Sequence, residues 1–555
     1  MNNHSDASLL DAEQYKIYEF QENESAKVPG YLVVSTATLN VETEEEHSTI
    51  DLAKVNNRNF FYLNDSQPAT STKSMIDKIA RRLIENEEPE IVINIHGYSS
   101  TPSDTEKGCK KIYNYVNEHI QQSNKYIFIG YRWPSENPFK KDDSGTVKEK
   151  LGYAISALPR LLLGILVTGL TVSILSTLVL LYVNLLPPSV IHFLTILLII
   201  SGIATSAVLT VMFLRISSYF RDVYRASNYG VIDLVELLRQ LDYSIDKLGY
   251  KKRVKLSFIG HSLGCFVLTN VIRILSDVFD VQSINKKPSS EIGHAFCLGR
   301  LVLVAPDIPV ETILPGRANF LRSSLRRCEE AYIFCSEGDL ALRLTSTAAN
   351  YFSFPAKTRI SGYRLGNVTV SHFRNSNDTV GHAPRYGIVN FLPDSYTEDY
   401  DIDRPHKYLE IRSSNKEHNN LTEMRTFSET EVEPADLFTY FDCTDYKDDP
   451  SQDAGIVTYA LQKPAINFWD YVVLTFAFLG KAGSNNGSKG IDTHTGYFQG
   501  KFTQKAIYEL AFLGFDGFIS SLSAEGEMED KIYAFSEECQ KKQIQVVLRS
   551  KLKSM

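Results

Sequence analysis

Three residues near the middle of the chain, Gly260, Ser262 and Gly264, have the spacing that nucleophilic catalysis by a serine requires. An apolar run ends just before them, and apolar residues at helical spacing follow directly. A strand, a tight turn and a helix in this order form a nucleophile elbow, in which the turn lifts the serine hydroxyl clear of the backbone. The first N–H groups of the helix, beginning with Leu263, then favour developing negative charge. The pattern predicts a nucleophile at Ser262; the alternative is a glycine-rich turn with a solvent-facing serine.

A second donor for such a negative charge is predicted upstream, at Gly97 and Tyr98. The largely apolar stretch Glu90–Ile95 is predicted to be a buried strand and is followed by His96-Gly97-Tyr98. Glycine at this point allows the backbone to turn an N–H into the site, beside the N–H of Leu263. The sequence therefore predicts an oxyanion hole formed by Gly97, Tyr98 and Leu263.

Two aspartates compete for the role of the acid in a serine-based triad. Asp307 follows one apolar strand after the elbow helix, and Asp339 follows the next, with Glu337 as a weaker third candidate. We expect both acids to lie at the same edge of the sheet, because parallel strands bring their carboxyl ends together. A buried carboxylate there would hold a histidine ring in the tautomer that accepts the serine proton.

His382 is the predicted base. It follows Gly381 beyond the stretch 362–372, which is predicted to be the last strand of the sheet. His372 lies on that strand and is expected to be structural. His261 lies inside the elbow, where it is expected to pack beside the turn.

Length, charge and cysteine usage exclude several other classes of protein. The chain has 555 residues and a formal net charge of −8, so it has no excess of cations to neutralise nucleic-acid phosphates. Its seven cysteines form no C-x-x-C pair, which argues against a disulfide framework or a zinc site. Asp492-x-His494 lacks a second ligand pair and is not expected to bind a metal. No cofactor and no metal are predicted.

A long uncharged segment interrupts the chain before the elbow. Residues 161–214 contain no Asp, Glu, Lys or Arg, and Pro187-Pro188 divides them into two apolar stretches, Leu161–Leu186 and Val190–Leu214. Each is long enough to cross a hydrocarbon core of about 30 Å. Cations flank the segment on both sides, which predicts two membrane spans with both termini cytoplasmic. Small residues at a spacing of four in each stretch suit close packing, within one hairpin or between copies in a homo-oligomer.

Three motifs together resemble those of the alpha/beta-hydrolase superfamily. His96-Gly-Tyr98, Trp133-Pro-Ser135 and the elbow follow one another, spaced by predicted helices, as they do in a largely bacterial group of that superfamily whose substrates are undefined. The likeness covers roughly residues 30–395 apart from the uncharged insertion, which departs from the usual soluble pattern. It implies an α/β fold with a doubly wound, mostly parallel sheet. It also implies an acid on the later strand, which favours Asp339 over Asp307.

The predicted organisation has five parts: a polar leader (1–28), a first hydrolase part (29–157), a transmembrane hairpin (158–216), a second hydrolase part (217–395) and an α+β accessory domain (396–555). The leading functional hypothesis is a membrane-anchored serine hydrolase that cleaves an ester or thioester, with a lipid as one candidate substrate. Its expected partners are the bilayer and that substrate, with no nucleic acid. A catalytically silent scaffold that recruits partners at the membrane is the alternative. A transporter is disfavoured, because the two spans carry no charge.

Overall fold

The structure is a computed structural model. It describes residues 14–20, 27–37, 71–120, 125–135, 216–276, 289–313, 319–347, 363–370, 387–388, 409–412, 418–420, 434–451, 454–460, 491–522 and 526–549, with isolated positions between 196 and 210 and between 466 and 474.

The strands are β1 Tyr15–Glu19, β2 Gly30–Ser35, β3 Glu90–Ile95, β4 Tyr126–Arg132, β5 Val254–His261, β6 Glu291–Ile292, β7 Phe296–Val304, β8 Glu330–Cys335, β9 Thr369–Val370, β10 Gly387–Ile388, β11 Leu409–Arg412, β12 His418–Asn420, β13 Phe438–Asp442 and β14 Gln545–Val547. The α-helices are α1 Thr72–Ile84, α2 Pro102–His119, α3 Val231–Lys247, α4 Leu263–Leu275, α5 Asn319–Arg327, α6 Lys501–Leu522 and α7 Met528–Lys541.

The central sheet is mostly parallel and has helices on both faces. Its strand order is β1-β2-β4-β3-β5-β7-β8-β13-β14-β10, with β6 beside β7. Along this order the strands from β2 to β13 run parallel. β1 pairs antiparallel with β2 and β14 pairs antiparallel with β13, whereas β10 pairs parallel with β14. Strands covered on both faces must be apolar nearly throughout, and β3, β4 and β5 are. The predicted α/β class with a mostly parallel sheet is confirmed.

Two layers of core residues lie on opposite faces of the sheet. Helices α1, α3, α4 and α5 contribute to one layer, and α2, α6 and α7 contribute to the other. Strand β5, which leads to Ser262, lies between β3 and β7 in the middle of the sheet. The turn after β5 is therefore held by packed elements on every side.

The predicted polar leader contains a strand. In β1, Tyr15 and Ile17 are 1% and 8% exposed, and the residues between and after them are less buried. This period of two is the pattern of a half-buried strand, and β1 pairs antiparallel with β2 at the edge of the sheet. Residues 15–19 of the predicted polar leader are therefore a strand of the central sheet, because their two apolar side chains share one face.

The predicted boundary at residue 396 does not divide the sheet. Strand β13 pairs in parallel with β8, and β14 pairs with β13, so the C-terminal region continues the same sheet. The stretch 362–372, predicted to be the last strand of that sheet, contributes only β9, which belongs to a separate three-stranded sheet with β11 and β12. The last parallel strand is β13. The region predicted to be an accessory domain thus covers the outer edge of β8 with β13 and β14.

The two apolar stretches predicted to span a membrane lie almost entirely outside the described residues. Among the helices that the structure describes, none is both long enough and apolar enough to cross a bilayer.

Candidate active site

Ser262 lies at a strained turn between β5 and α4. Its backbone has φ 53° and ψ −124°, in the left-handed half of conformational space that a residue with a side chain rarely adopts. Of the two nearby glycines, Gly264 is required by a close contact and Gly260 leaves little room for a side chain. A Cβ at Gly264 would lie 2.5 Å from the Ile95 carbonyl oxygen, and one at Gly260 would lie 3.1 Å from the Cys265 Cα. The turn has the geometry of a nucleophile elbow, as the spacing predicted.

Gly97, a predicted oxyanion residue, lies directly against this turn. A Cβ at Gly97 would be 2.8 Å from the Ser262 Cβ and 2.9 Å from Nδ1 of His261. Leu263 is the first residue of α4, so its N–H is one of those that have no partner inside the helix. The structure thus brings Gly97, Ser262 and Leu263 together, with Tyr98 as the next residue along the loop. We call residues 96–101 the oxyanion loop.

The Trp133 motif fixes the start of the oxyanion loop. The rings of His96 and Trp133 stack with their centroids 5.0 Å apart. The Trp133 Nε1–H donates to the His96 carbonyl at 2.9 Å, and Nε2 of His96 lies 3.1 Å from the Trp133 carbonyl. Burial, followed by the nearby Arg132, lowers the pKa of His96 to about 4. The two sequence motifs therefore form one clamp beside Ser262.

Asp339 is paired with a histidine, and that histidine is His494. The distance from Nδ1 of His494 to Oδ2 of Asp339 is 2.7 Å. Asp339 is fully buried, and its other oxygen accepts a hydrogen bond from the Leu342 N–H at 3.1 Å. Burial by itself lowers the pKa of His494, but Asp339, with smaller contributions from Asp492 and Asp307, raises that pKa above its ordinary value. An imidazole held by a buried carboxylate at Nδ1 can act as a base through Nε2.

His261 connects the elbow to the loop that carries His494. Its Nε2 lies 3.2 Å from the His494 carbonyl oxygen, and the two rings have centroids 4.8 Å apart. Burial, with a smaller contribution from His494, lowers the pKa of His261 to about 3. A neutral His261 donates its Nε2–H to that carbonyl and so supports the His494 loop. This agrees with the expected packing role.

Among the described residues, the Asp307 carboxylate contacts the side chains of Arg364 and Ser346, not a histidine. The Arg364 Nε lies 3.1 Å from its Oδ1, and the Ser346 hydroxyl donates to the same oxygen. Both members of the ion pair are buried, at 3% exposure each. Its backbone N–H donates to the Ser262 carbonyl at 3.2 Å, so the residue still shapes the elbow. An aspartate neutralised by arginine is a poor partner for a histidine, which favours Asp339 as the acid.

The loop that carries Asp339 is held by a buried amide. The Asn367 side-chain N–H groups donate to the carbonyl oxygens of Ser336 at 3.1 Å and of Asp339 at 3.3 Å. Glu337, the third acid candidate, accepts from the Ile466 N–H at 3.1 Å. Its carboxylate therefore holds a neighbouring segment of backbone.

His382 lies outside the described residues, so its role stays a prediction. His494 is absent from the predicted site, because the last strand is predicted at 362–372, whereas the chain returns to the edge of the sheet near Ser262 and Asp339 after β13. Two signals could have found it: the apolar and aromatic residues of Phe438–Asp442, and the pair Asp492-x-His494. Asp492 accepts from the backbone N–H groups of His494 at 3.2 Å and Thr495 at 2.9 Å, so it shapes the turn that presents His494.

Among the residues that the structure describes, no group of three or more His, Cys, Asp or Glu side chains could hold a metal ion. No protein-family profile, curated protein or solved structure matches this chain.

Proposed function

We propose that this chain is a serine hydrolase that cleaves an ester or thioester, with Ser262 as nucleophile, His494 as general base and Asp339 as the acid that orients His494. The observation that carries the proposal is the Asp339–His494 pair at 2.7 Å, joined to the strained Ser262 turn through His261. The order of the strands and the order of the three residues along the chain also resemble those of alpha/beta-hydrolases.

The proposed reaction has two halves, formation and hydrolysis of an acyl-enzyme, and each of these groups acts in both. Nε2 of His494 takes the Ser262 proton as Oγ attacks the carbonyl carbon, and the carbonyl electron pair moves onto oxygen. Backbone N–H groups of the oxyanion loop and of Leu263 stabilise that oxyanion. The tetrahedral intermediate expels the alcohol or thiol, which takes the proton from His494, and leaves an acyl-enzyme. Water then repeats the sequence and releases the acid.

Ser262→Ala tests this function in the full chain. The variant should lose hydrolysis of short p-nitrophenyl esters by several orders of magnitude and lose labelling by a fluorophosphonate probe. Cys265→Ser, one turn along α4, is the matched control and should keep both, because Cys265 is buried. Full hydrolysis by the Ser262→Ala variant would refute the proposal, whereas absence of both hydrolysis and labelling in the folded wild type would favour the silent scaffold.

The proposed membrane anchor rests on the uncharged residues 161–214. Tags at residues 1 and 555 should both be accessible from the cytoplasmic side, and a tag at Pro188 should be protected there. Exposure of the two ends on opposite sides would mean that only one stretch spans. A lipid ester remains the preferred substrate class, because an anchored site meets bilayer molecules at high effective concentration.

A further inference from the structure

Asp222 is fully buried and contacts the oxyanion loop. It lies in a helix that contains none of the three sequence motifs. Its Oδ2 accepts from the Ser99 N–H at 3.2 Å and from the Ser135 hydroxyl at 2.8 Å. The Ser135 Oγ in turn accepts from the Ser100 N–H at 3.2 Å. Two consecutive N–H groups of the loop are therefore fixed, directly or through one hydroxyl, by a single aspartate.

The backbone of the loop needs such a support. Ser99 has φ 57°, in the left-handed region where a residue with a side chain is strained. The two residues directly before it, Gly97 and Tyr98, are the predicted donors to the oxyanion. Asp222 itself is fixed by Arg221 at 3.3 Å and by the buried Arg225 at 3.7 Å. Burial raises the pKa of Asp222, and the two guanidinium groups act against that rise. The carboxyl group thus lies at the strained end of the loop, with both its oxygens in contact with partners.

The helical residues 216–225, which we call the stem helix, begin two positions after the uncharged segment ends. Besides Asp222, the stem helix contributes Tyr219, whose ring packs edge-on against Tyr98 at 5.8 Å. It continues through a π-helical turn, Ala226–Gly230, into α3. A Cβ at Gly230 would lie 2.9 Å from the Cβ of Trp133, so this turn also supports the clamp on His96.

We infer that Asp222 is a positioning residue for the oxyanion loop, so that the chain leaving the uncharged segment is part of the catalytic site. The inference rests on the proposed function. Donors aimed in advance at the developing charge stabilise the transition state without reorganisation, so an anchor that fixes their direction acts on kcat. Loss of the anchor should weaken oxyanion binding and leave substrate binding intact.

The test compares variants of the full chain. Asp222→Ala should lower kcat by about 10²-fold with KM unchanged, as expected when an oxyanion donor is misplaced. Asp222→Asn keeps one oxygen acceptor and should recover part of that loss. Ser135→Ala, which releases the Ser100 N–H, should lower kcat by a smaller factor and carries the test if Asp222→Ala does not fold. Asp233→Ala is the matched control, since Asp233 is a buried carboxylate on α3 that accepts from Ser35, away from the loop.

Two readouts separate positioning from general destabilisation. An aryl trifluoromethyl ketone forms a hemiketal when Ser262 Oγ bonds to its carbonyl carbon, the carbonyl pair moves onto oxygen and the proton passes to His494. The Asp222 variants should bind this ketone more weakly by the same factor as kcat and bind its alcohol analogue unchanged. Hydrogen exchange of residues 97–101 should also rise in the Asp222 and Ser135 variants but not in Asp233→Ala.

Equal losses of ketone and alcohol binding, or an equal effect of Asp233→Ala, would overturn the inference. Unchanged exchange at residues 97–101 in folded Asp222 variants would overturn it whatever their activity. Hydrolysis that survives Ser262→Ala would instead overturn the proposed function, so the two failures are distinguishable.

Discussion

The imidazole Nδ1 of His494 lies 2.7 Å from the Oδ2 of Asp339, although the two residues are 155 positions apart in the sequence. Asp339 follows β8, and His494 follows β13, the strand that pairs with β8 along its full length. The pairing of these strands therefore brings the two loops to the same edge of the sheet. The predictions below depend on this contact and on the elbow beside it.

His494→Gln should abolish ester hydrolysis, and His382→Gln should leave it within a few-fold of wild type. Loss of the base from a unit that works together is expected to cost about 10⁴- to 10⁶-fold in kcat. Steady-state kinetics with a p-nitrophenyl ester and fluorophosphonate labelling both measure the effect. If the two variants show the opposite ranking, His382 is the base and the Asp339–His494 pair is structural.

Asp339→Asn should lower kcat by about 10⁴-fold with little change in stability, because the amide leaves the fold intact but holds the imidazole in the wrong tautomer. Asp307→Asn should behave differently, since it leaves the buried Arg364 guanidinium without its carboxylate. The free energy of unfolding should fall by about 3–5 kcal/mol. Thermal denaturation and kcat measured together on both variants separate the roles. A larger catalytic loss for Asp307→Asn at matched stability would transfer the acid role to it.

The acid side of the pH profile should report His494. Only the neutral imidazole can accept the Ser262 proton, so kcat/KM should rise with pH as His494 loses its proton. Because the Asp339 carboxylate raises the pKa of His494, the midpoint should lie above the ordinary histidine value of about 6.5. Residual activity of Asp339→Asn should show a lower midpoint, since the carboxylate no longer stabilises the imidazolium. A midpoint that stays in place in this variant would contradict the assignment.

Gly97→Ala should lower kcat sharply, because the added methyl group would lie 2.8 Å from the Ser262 Cβ and must displace either the nucleophile or the oxyanion loop. Gly108→Ala is the matched control. Gly108 lies in α2 with no atom within 4 Å of an added Cβ, so the change should raise helix stability by up to about 1 kcal/mol and leave kcat unchanged. Equal kinetics for the two variants would show that Gly97 does not border the reacting atoms.

The sequence predicts those elements whose local residue pattern matches their burial in the folded chain. Strands such as β3 and β5 are buried on both faces, so their apolar runs are visible without any partner. The elbow was predictable because everything it requires lies in one short stretch of backbone. It needs a serine with a positive φ and two glycines at positions with little or no room for a Cβ. Asp339 was also predicted, since it follows a buried strand within four residues.

The parts that were missed depend on contacts between distant segments. β13 is only five residues long, and its place beside β8 is not encoded in its own pattern. His494 follows β13 only after about fifty residues, part of which lie outside the described residues, so no spacing rule connects it to the sheet. The contribution of Asp222 was invisible for the same reason, because a lone aspartate in a helix is usually a solvent-facing residue.

The late position of β13 and His494 in the chain affects the order of events during synthesis. His261 and His494 are 233 residues apart, and at 5–20 residues per second a ribosome needs roughly 12–47 s to add that length. Throughout this interval the serine turn has been made while His494 has not, and from the completion of β8 until β13 is made the outer edge of β8 has no partner strand. The hazard of this order of elements in the chain is that the unpaired edge of β8 binds a chaperone or pairs with a second nascent copy.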